Sequence, residues 1–309
     1  MALAVTLGDP WGIGPEVVAG ALARLALQPG TVRVVGPGFA WRAMLAREPA
    51  LSVHDSFFVE VPAGRSSGKP GNPPVDGGRV VLDTLAAAVS LVRSGEAQAL
   101  VTAPLNKSLV HRLDPEFVGH TEYLGQAFGV EEPTMTFVGP RYVTALVTTH
   151  VSIRSLPDWI SEERVYRHIR RLWAWLADRY GPSVRLGVAG LNPHAGEGGA
   201  FGDEEARVIA PAIARARSEG INAEGPFPAD SIYREAGSGK RFAGVLAMYH
   251  DQALVLFKAT DEGQGVNMTL GLPVVRTSPD HGTAYDIAGR GRADWRSMAA
   301  AFSLVLPPA

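Results

Sequence analysis

Short apolar runs closed by glycine, proline or a polar cluster alternate along this chain with longer stretches in which apolar positions recur every three or four residues. The first kind predicts buried strands and the second amphipathic helices. Ala2–Leu7, Thr31–Val35, Ala99–Pro104, Thr134–Val138, Tyr142–Thr149, Leu186–Pro193 and Gly244–Met248 read as strands. Helices are predicted from Pro15 to about Ala26, over Ala40–Glu48, Arg79–Val92, Glu162–Tyr180 and Asp294–Leu306, and from Gly119 onward. Gly139-Pro140-Arg141 turns a hairpin between two of the strands. Gly64–Gly78 has no apolar period and reads as a surface loop or mobile flap. The alternation predicts an α/β fold, with no internal repeat and no heptads.

With 309 residues the chain can form two domains or one large α/β domain with a cleft. A hydrophobic share of 46% beside 19% charged residues is that of a soluble globular protein. A net charge of -2 gives no electrostatic footprint for nucleic acid or an anionic membrane. The absence of cysteine removes disulfides, thiolate nucleophiles and Cys-type zinc sites, and leaves histidine and carboxylate as metal ligands. No basic stretch leads into an apolar signal region, and no apolar run approaches the ~20 residues of a membrane span, so a cytoplasmic protein is expected.

Three strand-like runs each deliver one imidazole: His150, His194 and His250. A lone strand-end histidine is commonly a hydrogen-bonded structural residue. Here the position repeats, each time beside polar groups such as Thr148, Asn192 and Asp251, which points to ligands of a single divalent metal. Gly8–Glu16 makes a strand, loop, helix unit without the G-x-G-x-x-G fingerprint, and carries Asp9 in the loop. Lys107 follows a strand end and is either a solvated lysine or a catalytic or anion-binding ammonium. His120 and Thr121 open a helix whose first N–H groups favour an anion such as phosphate; simple capping by Thr121 explains the stretch equally well. Asp230, in a rigid proline-rich loop, is a fourth ligand or a helix cap. Lys258, Asn267 and Arg276 follow on successive segments and suit a phosphate or carboxylate. Trp173 and Trp175 read as packing or interface residues.

Taken in order, Gly8-Asp9-Pro10, Thr102–Lys107, Gly119–Leu124, Thr148–His150, Leu191–Gly199, Tyr249–Gln252, Val266–Pro273 and Arg276–Ala284 resemble the motifs of the 4-hydroxythreonine-4-phosphate dehydrogenase family of vitamin B6 biosynthesis. The resemblance spans nearly the whole chain. It implies a two-domain isocitrate/isopropylmalate dehydrogenase-like fold with a cleft, with residues 1–124 plus 267–309 on the cofactor side and 125–266 carrying metal and dimer contacts. It further implies that His150, His194 and His250 bind one divalent metal (zinc, magnesium or cobalt) shared across a homodimer. His120, Thr121, Lys258, Asn267 and Arg276 would then hold the phosphorylated substrate, and His281, Gly282, Thr283 and Ala284 the cofactor, NAD or alternatively NADP. The implied reaction is oxidation of the substrate's C3 hydroxyl followed by loss of CO₂, with Lys107 and Asp230 as candidates for removing the hydroxyl proton. Trp11, where a small residue is expected after Asp-Pro, would narrow the cleft or change the substrate, and Ser152 and Ile153 also depart from the family pattern. Paralogues oxidising 4-phospho-D-threonate or 4-phospho-D-erythronate carry nearly the same motifs. From other classes, a metal-dependent phosphohydrolase and a non-catalytic phospho-ligand binding protein remain as alternatives.

Overall fold

The structure, a computed structural model, describes residues 2–25, 27–64 and 68–306. Residues 65–67 of the predicted Gly64–Gly78 loop, and Ala26 at the predicted end of the first helix, lie outside the described residues.

In chain order the elements are β1 (Leu3–Thr6), α1 (Gly14–Leu25), β2 (Val32–Gly36), α2 (Gly38–Arg47), β3 (Val59–Glu60), α3 (Gly78–Arg93), β4 (Ala99–Thr102), α4 (Lys107–His111) and α5 (His120–Phe128). They continue as β5 (Thr134–Val138), β6 (Val143–Leu146), α6 (Glu162–Tyr180), β7 (Leu186–Ala189), α7 (Ala210–Ser218), β8 (Ala223–Phe227), α8 (Ala229–Ile232), β9 (Gly244–Ala247), α9 (His250–Thr260) and β10 (Val266–Leu270). The last are β11 (Val275–Pro279) and α10 (Arg296–Val305).

The chain divides into two compact units, residues 1–133 with 272–309, and residues 134–271. Both divisions come later than the boundaries near Leu124 and Val266 expected from sequence. Leu124 packs with Val35, Ala88 and Leu100 in the first unit's core and keeps α5 there. β10 is hydrogen-bonded to β5 and stays in the second unit.

In the first unit the strands run β3-β2-β1-β4-β11, all parallel. Every residue of β1 and β4 is buried, which is why these runs read as uniformly apolar rather than alternating. In the second unit the order is β10-β5-β6-β9-β7-β8. β5 and β6 form the predicted antiparallel hairpin, with Gly139 N–H donating to Tyr142 O, while β6, β9, β7 and β8 are parallel. Phe137, Leu146, Val245 and Phe257 are among its core residues. α6 presents Val165, Ile169, Leu172 and Leu176 inward at helical spacing, and Ser161 caps it by accepting from Arg164 N–H. Among the described residues no helix is long and apolar enough to cross a membrane.

Candidate active site

In a parallel sheet the loops at the strands' carboxyl ends share one edge, where α/β folds place their ligands. The second unit uses this arrangement for the three histidines. β6, β9 and β7 are neighbours in that order and all parallel. His150 follows β6, His250 is the first residue of α9 after β9, and His194 lies in the turn after β7. The ladder between β6 and β9 runs on past the strands, with Val147 N–H donating to Ala247 O and Thr148 N–H to Met248 O. His150 and His250 thereby come to 6.0 Å between ring centroids. His194 stands further into solvent, with 64% of its side chain exposed.

Two of these imidazoles carry a carboxylate on Nδ1: His250 with Asp251 Oδ1 at 2.7 Å, and His194 with Glu197 Oε2 at 2.9 Å. A carboxylate on one ring nitrogen orients the ring and leaves Nε2 as the lone-pair donor, the usual arrangement around a protein-bound cation. The donor set therefore fits a divalent metal. Among the described residues, no group of three or more His, Cys, Asp and Glu side chains within the chain is arranged to hold one.

The loops that carry the histidines are fixed by residues whose roles sequence reading missed. Gln252 accepts from Met248 N–H at 2.7 Å and donates to Gly190 O at 2.8 Å, fastening the end of β9 to the end of β7. Glu205, 5% exposed, accepts from Leu191 and Asn192 N–H at 2.7 Å each and from Asn192 Nδ2 at 3.0 Å. From His194 to Gly198 the backbone stays left-handed, with φ of 52, 53, 82, 44 and 66°. Asp203-Glu204-Glu205 reads in sequence only as an acidic helix start; a buried carboxylate bonded to a loop fourteen residues earlier has no local signature.

The first unit gathers cationic and imidazole side chains. Arg276, on β11 opposite Leu100, is 2% exposed, and its guanidinium donates to Thr102 Oγ1 from Nε at 3.0 Å and Nη2 at 2.7 Å. Burial lowers its pKa to about 9, with Glu122 acting against the shift. His120 begins α5, and its Nε2 is buried without a hydrogen-bond partner. Burial, then the charges of Arg276 and Lys107, hold the His120 pKa well below the ordinary histidine value, so the ring is neutral. A Cβ on Gly119 would lie 3.3 Å from Lys107 Nζ and 3.2 Å from Glu122 Oε2, so a side chain there would crowd the ammonium. A guanidinium, an ammonium and an orphaned imidazole nitrogen near a helix N-terminus are groups with the chemistry to hold an anion. Thr121, 6% exposed, lies in the same turn as the second residue of the helix, and the N-cap position is taken by Gly119.

Three adjacent parallel strands, β1, β4 and β11, send their carboxyl ends into the Asp9, Lys107 and His281 loops. Asp9 N–H donates to Pro104 O and Ile13 N–H to Thr283 O, at 2.9 Å each. At Gly8, φ 64°, a Cβ would come within 2.3 Å of Pro104 O, so only glycine permits this approach. His281 Nε2 is buried without a partner, Nδ1 lies 3.1 Å from Gly282 O, and Ala284 takes φ 40°. An orphaned ring nitrogen beside a bent loop offers one hydrogen bond to a ligand.

The remaining candidates are spread over the second unit. Asn267, on β10, has a buried Oδ1 without a partner. Lys258 lies on an exposed position of α9, and Asp230 on an exposed position of α8. Trp11 is 1% exposed and packs with Val80 and Leu109, and the described part of the Gly64–Gly78 segment closes over it, Gly71 N–H donating to Trp11 O at 2.8 Å. The tryptophan is thus a core residue under a clamped wall, rather than a side chain facing a ligand.

A family model described as Pyridoxal phosphate biosynthetic protein PdxA matches residues 34–305. The chain is 40% identical to the 4-hydroxythreonine-4-phosphate dehydrogenase of Desulfosudis oleivorans over 99% of this chain and 96% of that protein. The crystal structure of a protein of the same name from Klebsiella pneumoniae superposes with a TM-score of 0.82 at 35% identity, covering 98% of each chain. Isocitrate dehydrogenase from Methylococcus capsulatus, at 13% identity and a TM-score of 0.50 over 98% of this chain and 85% of that one, shares the fold alone. On these matches, the chain belongs to the PdxA family of pyridoxal phosphate biosynthetic proteins.

Proposed function

We propose that this chain oxidises the C3 hydroxyl of 4-hydroxythreonine 4-phosphate with NAD and a divalent metal, giving a β-keto acid that loses CO₂ to form 3-amino-2-oxopropyl phosphate. The observation that carries the reading is the buried Arg276 guanidinium and the buried, orphaned Nε2 of His120 at the head of α5, with the exposed Lys107 charge acting on that imidazole, in a chain whose full-length relatives bear that enzyme name.

Arg276 balances charge on the phosphate, and neutral His120 donates one hydrogen bond from its orphaned Nε2. Charge-assisted contacts of this kind contribute about 1.5–3 kcal/mol each, and make the phosphate a handle that orients the carbon skeleton. Thr121, Asn267 and Lys258 complete the substrate contacts, Asn267 offering its unpartnered Oδ1 to the substrate's amino group or a hydroxyl. His150, His194 and His250 hold the metal, with imidazoles drawn from two copies of the chain. Exposed apolar side chains in the same unit, Ile153 at 69%, Phe201 at 54% and Val255 at 71%, support a covered dimer face there. When bound, the metal supplies Lewis acidity to the substrate hydroxyl and the nicotinamide supplies the hydride acceptor. His281, Gly282, Thr283 and Ala284 hold the cofactor, and Lys107 or Asp230 takes the hydroxyl proton.

The test is the near-ultraviolet absorbance of NADH when purified protein meets NAD, a divalent metal and the phosphorylated hydroxythreonine. NADH formation that requires all three supports the reading. Release of inorganic phosphate without NADH would replace it with the hydrolase, and NADH formed only from a phosphorylated sugar acid would replace the substrate.

A further inference from the structure

The described residues contain a buried polar bridge that the reaction outlined above does not use. Tyr285 sits in the loop after β11, and its phenol donates to Asp9 Oδ2 in the loop after β1. The phenol oxygen itself accepts from Asn106 Nδ2 at 3.0 Å, in the loop after β4. Thr283 also hydrogen-bonds the phenol, and Trp11 N–H donates to Asp9 Oδ1 at 2.9 Å. One hydroxyl therefore joins three loops whose residues are up to 276 positions apart.

The direction of each bond follows from the burial. Asp9 is 0% exposed, and burial raises its pKa while the bonds from Tyr285, Trp11 and Gly12 oppose the rise. Burial first, then the bond to Asp9, push the Tyr285 phenol upward, so it keeps its proton and donates. Its remaining lone pair is then the acceptor for Asn106. Asn106 in turn caps α4, its Oδ1 accepting from Ser108 N–H at 3.0 Å, and Lys107 is the first residue of that helix. The phenol is thus linked, through one side chain, to the backbone that places the Lys107 ammonium.

We propose that Tyr285 is a positioning residue that sets the 281–285 loop and the 103–107 loop in one joint geometry, so that the cofactor loop and Lys107 are ordered together. This rests on the assignment, under Proposed function, of His281–Ala284 to the cofactor and of Lys107 to the active site. Without the hydroxyl, Asp9 loses a donor and Asn106 an acceptor, and the two loops stay linked only indirectly, through the backbone bonds of Asp9 to Pro104 and of Ile13 to Thr283.

Two reciprocal substitutions test it. Tyr285→Phe removes the hydroxyl and keeps the ring; Asn106→Ser keeps an oxygen to cap α4 and gives up the bond to the phenol. Backbone hydrogen exchange is measured on both proteins without cofactor. Tyr285→Phe is expected to speed exchange by about tenfold in 103–110 as well as in its own loop, and Asn106→Ser to do the same in 281–291. Acceleration confined to each variant's own loop, or none, overturns the coupling. In parallel, NADH affinity is expected to fall several-fold in Tyr285→Phe with the melting temperature little changed. A wild-type protein that binds no NADH would overturn the cofactor assignment, whereas the exchange pattern decides the coupling.

Discussion

The two units use the same device, three adjacent parallel strand ends, and finish it differently. In the first, Arg276 and Asp9 are buried and held by partners within the chain, Arg276 on Thr102 and Asp9 on Tyr285 and Trp11. In the second, the histidines are presented to solvent, with His150 and His250 together and His194 apart. A buried cation and a neutral buried imidazole are stable only if the fold is complete around them. Exposed imidazoles need no such enclosure and can wait for a cation or another chain. Under the proposed function, the contrast would make the first unit a preformed anion site and leave the metal ligands of the second to be completed by another chain.

The sharpest way to break that contrast is to remove histidines. His194→Ala and His250→Ala should each abolish activity and bound metal, as measured by metal analysis of the dialysed protein. If the ligands come from two copies, refolding the two variants together should restore about a quarter of wild-type activity, since half the dimers are mixed and each has one intact site. No recovery would place all three ligands in one chain. Next in size is Arg276→Lys, which keeps the charge and loses the planar fork. KM for the phosphorylated substrate should rise roughly 10–100-fold with metal content unchanged, a loss of about 1.5–3 kcal/mol. Loss of metal in that variant would show that the two sites are not separable.

Glu205→Gln should act more mildly and only on the second unit. It replaces an acceptor facing Asn192 Nδ2 by a donor, and should lower metal affinity about tenfold by titration while leaving phosphate affinity intact. The smallest effect concerns pH and the first unit. The folded His120 pKa lies well below the unfolded value of about 6.5, so below that pH the unfolded chain binds a proton that the folded chain refuses. Stability contributed by neutral His120 is present above pH ~6.5 and is lost as pH falls, by up to about 1.4 kcal/mol per pH unit. Melting curves of wild type and His120→Asn should diverge in that range and coincide above it.

Much of this was legible in the sequence because buried parallel strands are continuous apolar runs, and their ends announce themselves by glycine and polar residues. β5, α3 and α6 fall within a residue of where periodicity puts them. Leu186–Pro193 is longer than β7, because the pattern does not show that the ladder to β8 ends with Gly190 N–H donating to Phe227 O and that the chain then bends into the Pro193–Gly199 turn. Trp11 stands out in the sequence only as a bulky residue that would narrow the cleft or change the substrate, since sequence does not show that the 68–78 segment covers it. Gln252, Glu205 and Tyr285 were unreadable as supports for a common reason. Their partners lie 62, 14 and 276 residues away, and a polar side chain becomes a brace only once the fold supplies its other end.

The left-handed turn from His194 to Gly198 carries a consequence for variation in this protein. Backbone of that hand crowds any Cβ and shuts out branched side chains, whatever their polarity. Ala195 and Glu197 are therefore confined to a narrow set of replacements by dihedral angle alone. Mutational tolerance across this turn should be low even at positions that never meet a ligand, and a library screened there would report the shape of the chain before it reported any chemistry.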